Sequence, residues 1–302
     1  MKQFFNLSID LDPLWCYRHI FGLPPGPRED PLLARAAERF QILLDMLEIP
    51  ATVFVVGESL SDPRLVKALH AQLAAGCEIG NHTYSHPYDL SLQSGPQIAD
   101  EIERGAAACH KSLGLRPQGF RAPGYALGSQ VLSAVAAAGC SYDSSILPSP
   151  AYQGAKALAR HWLKRQGRPS GAILADPRES LGPRLPYRPD LRAPWRHGSA
   201  SLLELPISSI LGLPLTGSLL AFAGPARVGL LARAAAAKAF VCLELHAVDL
   251  LDITADGIDP ALGVQRDLRI PWERKLEATA AFVEGLLPSH QAATLADIAK
   301  QI

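Results

Sequence analysis

Short apolar runs alternate with amphipathic runs along most of the chain, the signature of β/α units and a parallel sheet. Residues 4–9 read as the first strand. Asp30 and Pro31 read as an N-cap and a first helical position, opening a helix to about residue 48 with Leu32, Leu33, Ala36, Phe40, Leu43, Leu44 and Leu47 at helical spacing. A strand at 51–56 follows, and the unit repeats as helix 62–75, strand 77–80, helix 96–113, short strand 118–120 and helix 129–138, which Gly139 stops. Residues 140–142, 172–174, 202–207 and 240–245 are further strand candidates, with helices near 225–238 and 271–286. About eight strands predict an α/β fold, a closed or nearly closed (β/α) barrel of seven or eight strands. The segment 147–201, rich in Pro, Gly and Arg, predicts a long loop or insertion over one face of a single domain spanning 1–302.

Composition narrows the function. The 302 residues are 48% apolar, enough for a sizeable core, and Lys plus Arg equals Asp plus Glu at 29 each, so no global field draws nucleic acid or an anionic membrane. Cys16, Cys77, Cys109, Cys140 and Cys242 form neither a C-x-x-C pair nor a secreted disulfide pattern, which fits a reducing compartment. The first residues, M-K-Q-F-F-N-L-S-I-D-L-D, offer too short an apolar run for a secretory signal, and the expected location is cytoplasmic. Residues 205–226 are uncharged and approach the length of a membrane span, yet Pro206, Gly212, Pro214, Gly217, Gly224 and Pro225 interrupt them. A buried strand plus an apolar loop is expected there, not a transmembrane span.

The reactive residue types fall just after strand candidates: Asp10 and Asp12 after the first, His82 and His86 after the third, Arg121 after the fourth, Asp143 and His246 after later ones. In a parallel barrel those strand ends share one face, so the scattered positions converge. In G-N-H-T-Y-S-H-P, four-residue spacing on a helical turn would bring two imidazoles within reach of one ion, and an Asp oxygen would complete a two-His, one-carboxylate set with open positions. Asp10 and Asp12, at i and i+2, point to one face of a strand, where one can ligate an ion while the other takes a proton from water. Trp15, Tyr17, Tyr125, Trp162 and Trp195 are candidates to stack on a sugar ring, and His197 to touch substrate.

Several motifs, in order, resemble the polysaccharide deacetylase or NodB-homology family of carbohydrate esterases: S-I-D-L-D, G-N-H-T-Y-S-H-P, F-R-A-P-G-Y, Y-D-S-S and L-E-L-H-A. They span residues 10 to 246, most of the chain. The resemblance implies a distorted (β/α) barrel, Asp10 as base, and Asp12, His82 and His86 as ligands of a divalent ion, zinc first, with cobalt, nickel or manganese as alternatives. It also implies His246 as general acid, Arg121 as the residue that orients Asp10, and Asp143 or Asp249 as the partner of His246. Gly124, with Tyr125 beside it, would serve the acyl oxygen through backbone N–H; here the chain departs from the family, because Pro123 is followed by glycine before the aromatic. The implied reaction is removal of an N-acyl group, acetyl in the simplest case, from an amino sugar or glycan intermediate, including a lipid-linked one. Deformylation or opening of a cyclic amide uses the same residues, and a non-catalytic glycan-binding barrel is a third expectation.

Overall fold

Strand β1 (Phe4–Leu11) is buried along its whole length and shows how the barrel divides its two faces. Phe5, Leu7, Ile9 and Leu11 pack outward into the largest apolar cluster, while Asn6, Ser8 and Asp10 point to the inside. Inside, Asn6 donates to Thr52 Oγ1 at 3.1 Å and Ser8 Oγ to Leu243 O at 3.2 Å, so the polar row is satisfied up to the strand's end. The computed structural model describes residues 3–302.

After β1 come α1 (Leu14–Ile20), α2 (Leu32–Leu47), β2 (Thr52–Val55), α3 (Pro63–Ala74), β3 (Glu78–Asn81), α4 (Gly95–Leu113), β4 (Gly119–Phe120), α5 (Gly128–Ala137) and β5 (Tyr142–Asp143). Next are α6 (Pro150–Arg165), β6 (Pro189–Asp190), β7 (Ala193–His197), β8 (Leu203–Glu204), β9 (Ser209–Ile210), β10 (Leu213–Pro214), α7 (Gly217–Ala223) and α8 (Pro225–Ala236). The chain closes with β11 (Phe240–His246), α9 (Ile253–Asp256), α10 (Trp272–Glu284), β12 (Gln291–Ala292) and α11 (Leu295–Ala299).

The main sheet runs β11-β1-β2-β3-β4-β5-β8 with every pairing parallel, and β12 pairs with the start of β1. Its edges meet: Ser208 N–H donates to Cys242 O at 3.0 Å, Glu244 N–H to Leu215 O at 3.2 Å, and Thr216 bridges Glu244 in parallel. The expected distorted (β/α) barrel is the observed fold. Helices cover its outside; α2 buries Leu33, Ala36, Phe40, Leu43, Leu44 and Leu47 against β1 and β2.

Helix ends follow local chemistry. Asp62 accepts Arg64 N–H ahead of Pro63, Ser94 and Gln97 form a capping box on α4, and Gly139 takes φ +79° just past α5. Asp30 accepts Leu32 N–H at 3.1 Å and also Leu14 N–H at 2.5 Å, tying α1 to α2, and α2 starts one residue later than the cap pattern predicted.

Three expectations are corrected. Residues 172–174 form no strand; the segment is anchored by Gly171 N–H on His19 O, and the sheet's last parallel strand before β11 is β8. The segment 147–201 is not a loop throughout, because Ser149 and Pro150 start the 16-residue helix α6, and β6 and β7 form an antiparallel hairpin. Residues 205–226 fold as the β9–β10 hairpin and α7. Among the described residues no helix is long and apolar enough to cross a membrane, and all five cysteines are free thiols.

Candidate functional site

The C-terminal ends of β1, β3, β4 and β11 bring Asp10, Asp12, His82, His86, Arg121 and His246 to one mouth of the barrel, with Asp10 opposite His246 in the strand register. Asp12 Oδ1 lies 3.2 Å from both His82 Nε2 and His86 Nε2. Despite burial, His86 and His82 hold the Asp12 carboxyl well below the usual range. His82 Nδ1 is fixed by Arg121 O at 2.7 Å, and His86 Nδ1 by Cys16 Sγ at 3.4 Å, so each ring presents Nε2 inward.

The spacing of the two histidines works through a loop, not the helical turn expected from sequence. Thr83 and His86 take positive φ, 65° and 55°, and His86 N–H bonds Thr83 Oγ1. Glu101 on α4 accepts Tyr84 N–H, Ser85 N–H and Ser85 Oγ–H, which locks the loop. Gly105 permits that approach: a Cβ there would stand 2.3 Å from Asn81 Oδ1.

Asp12, His82 and His86 suit a divalent ion. Their ligand atoms cluster within 4.8 Å, all three side chains are buried, and Asp12 Oδ1 and His86 Nε2 have no hydrogen-bond partner among the described residues. Asp10, Glu244 and His246 form a second cluster of the same tightness, but Arg121 already neutralises Asp10 there and Tyr125 already bonds Glu244.

Arg121 is fully buried and donates to Asp10 Oδ1 at 2.6 Å, Ser144 O at 2.7 Å, Ser144 Oγ at 2.8 Å and Ser8 Oγ at 3.1 Å. Its guanidinium also lies 4.2 Å over the Phe54 ring. One carboxylate oxygen of Asp10 is thus clamped, and the other, Oδ2, stands 3.9 Å from His82 Nε2.

His246 Nε2 sits 3.2 Å from Glu244 Oε1 and 3.2 Å from Tyr125 Oη, while Tyr125 Oη donates to Glu244 Oε1. Burial pulls the imidazole down, but Glu244, then Asp12 and Asp10, outweigh it and carry His246 up to about 9. Burial pushes Glu244 up to about 7. Asp249 accepts the backbone N–H of His246 at 2.7 Å, with its Oδ2 3.9 Å from Nδ1. Lys275 underpins that loop by donating to Val248 O, Leu251 O and Asp267 O.

Asp143 is the departure. Its carboxylate bonds Ser145 Oγ and N–H and faces Glu204 across β5–β8, so the structure does not bring it to His246; Asp249 and Glu244 stand there instead. Sequence reasoning missed Glu244, although it lies two residues before His246 on one strand and shares its face. Gly124 and Tyr125 both take positive φ at the mouth, 62° and 60°. Trp195 stacks under Arg178 and His197 against Tyr187, both away from the cavity, and Trp15 lines a neighbouring cleft with His86.

The site opens into a cavity of about 610 Å³. Asp10, Asp12, His82, Tyr125 and His246 form its floor, and α6, β10 and α7 supply an apolar wall of Leu163, Leu213, Leu219 and Phe222.

The polysaccharide deacetylase family matches residues 29–142. A chitooligosaccharide deacetylase of Bradyrhizobium sp. (strain ANU 289) is 36% identical over 106 residues, 32% of this chain and 45% of that protein, so the match spans less than half of the curated relative. A solved structure of an inferred polysaccharide deacetylase from Mycobacterium smegmatis has the same fold, with a TM-score of 0.59 and 18% identity over 100% of this chain and 91% of that one. Residues 29–142 thus match the polysaccharide deacetylase family, and the chain as a whole shares the fold of the Mycobacterium smegmatis structure.

Proposed function

We propose that this protein is a metal-dependent hydrolase that removes an N-acyl group, acetyl in the simplest case, from an amino sugar or glycan intermediate. The observation that carries the reading is the pairing of a clamped carboxylate, Asp10 on Arg121, with a charged imidazole, His246 on Glu244, across one cavity beside Asp12, His82 and His86. A divalent ion such as zinc, held by those three, would acidify water and polarise the acyl oxygen.

The chain's own residues then account for the proton traffic. Asp10 accepts a proton from the attacking water at Oδ2, because Oδ1 is committed to Arg121. The water oxygen bonds the acyl carbon, the C–N bond breaks, and His246 gives its proton to the departing nitrogen. Gly124 offers a backbone N–H as the candidate donor to the acyl oxygen. The apolar wall, partly drawn from the uncharged segment 205–226, favours a substrate with a hydrocarbon portion, as in a lipid-linked sugar.

A mass-shift screen tests the reading, using zinc- or cobalt-loaded protein on N-acetylated, N-formylated and cyclic amide substrates, with alkyl glycosides among them. Loss of acetyl by the wild type alone, and not by Asp10→Asn, is the expected result; identical behaviour on every substrate sinks it. Chelation is expected to abolish turnover, and zinc at 100 times its dissociation constant to stabilise the protein by about 2.7 kcal/mol. Thermal melts with and without zinc check this, and a His86→Ala variant with an undiminished zinc response would refute the ligand assignment.

The pH dependence follows from His246. Its folded value of about 9 lies above the ordinary 6.5, so the stabilisation from its charge is complete below about 6.5 and disappears as pH rises through about 9. kcat is therefore expected to fall on the alkaline side near 9, and Glu244→Gln to move that limb to lower pH. An alkaline limb left in place by Glu244→Gln in a pH–rate profile would remove Glu244 from this role.

A further inference from the structure

Lys156 and Arg160 stand one turn apart on α6, and both line the cavity that holds Asp10 and His246. Like charges at this spacing repel, and no ion pair among the described residues includes either side chain. Arg160 Nε is buried without a hydrogen-bond partner. Among the described residues Lys156 Nζ donates only to Gly124 O, at 3.0 Å, next to the Tyr125 whose hydroxyl meets His246. Burial and the nearby Arg160 push Lys156 down to about 8, the direction expected of a cation kept without a counter-charge. Asp10 and Asp12 share the cavity but are occupied by Arg121 and the two imidazoles.

Two half-buried cations without a counter-charge line this cavity, and the buried Arg160 Nε stays unpaired unless the substrate brings an anion. We propose that Lys156 and Arg160 form a binding site for a phosphate group on the substrate, so that the substrate class is a phosphorylated N-acyl amino sugar. This rests on the N-acyl hydrolase reading for the sugar and stands apart from it for the anion. The Arg fork can meet two phosphate oxygens while the Lys ammonium meets a third as a compact charge.

Calorimetric titration tests it, with N-acetylglucosamine 1-phosphate, N-acetylglucosamine and an N-acetyl amino sugar carrying a carboxylate as probes of the zinc-loaded protein. The phosphorylated sugar is expected to bind at least tenfold more tightly than the neutral one, and the advantage to vanish in Lys156→Met/Arg160→Met. Methionine is a good helix former, so α6 persists in that variant, which a melting curve verifies. Equal affinity for phosphorylated and neutral sugars overturns the proposal. So does a phosphate preference that survives the double substitution, as direct binding to the ion would give, and so does tighter binding of the carboxylate sugar. A preference that stands without any acyl loss in the mass-shift screen would sink the hydrolase reading and leave the anion site. Equal acyl loss and equal affinity on neutral and phosphorylated sugars would do the reverse.

Discussion

Asp10→Asn is expected to lower kcat by about 10²–10⁴-fold while zinc content and KM change little. The substitution is isosteric and keeps an oxygen for Arg121 to bond, so the clamp geometry survives. What goes is the basic Oδ2, the free oxygen on the cavity side, and no other carboxylate can replace it. Asp12 is engaged by His82 and His86, and Glu244 is engaged by Tyr125 and His246. Steady-state kinetics beside metal analysis decide the matter. A variant within a few-fold of wild type in kcat would show that the base lies elsewhere.

Arg121→Met should have the largest effect on stability, a loss of about 3–5 kcal/mol. Arg121 is enclosed and carries the counter-charge of a nearly inaccessible Asp10, so its removal leaves a buried carboxylate without its cation. Ser144 O, Ser144 Oγ and Ser8 Oγ lose donors at the same time. Guanidinium unfolding measures the loss as a lower midpoint at unchanged slope. Asp10→Asn placed on top should restore part of it, because the orphaned charge is then gone and the two changes do not add. A loss below about 1 kcal/mol would contradict the buried-pair account.

Much of this architecture was legible in the chain because its strongest signals are local. The apolar run of β1 ending in D-L-D, the periodic faces of α2, α3 and α4, and the capping residues each act within a turn or two. Strand positions before the reactive residues were readable for the same reason. The failures have physical causes. Strands β4, β5 and β8 are two residues each, too short for a period, and 172–174 imitates such a strand without a neighbour to pair with. Helix α6 was hidden by the Pro and Gly around it, although Ser149 and Pro150 spelled its start. His82 and His86 meet through two positive-φ residues that no periodicity encodes. Asp143 and Glu244 divide the cases: tertiary register sets Asp143 opposite Glu204 and away from His246, whereas Glu244, two residues before His246 on β11, was readable from strand alternation.

The distribution of the site along the chain also orders its assembly. Asp12 lies just past β1, and His82 and His86 lie just past β3, all within the first 86 residues and on strands that pair with β2. They emerge from the ribosome well before Arg121, and long before β11 delivers His246 beside Asp10. An ion caught by the early three would staple β1 to the β3 loop while the rest is still being synthesised, and its binding energy would count toward folding. The pairing of β1 with β11 must wait for most of the chain and carries a large loop-closure cost. On the proposed roles His246 is the last of these groups to arrive, so a nascent chain could hold an ion before it could turn over a substrate.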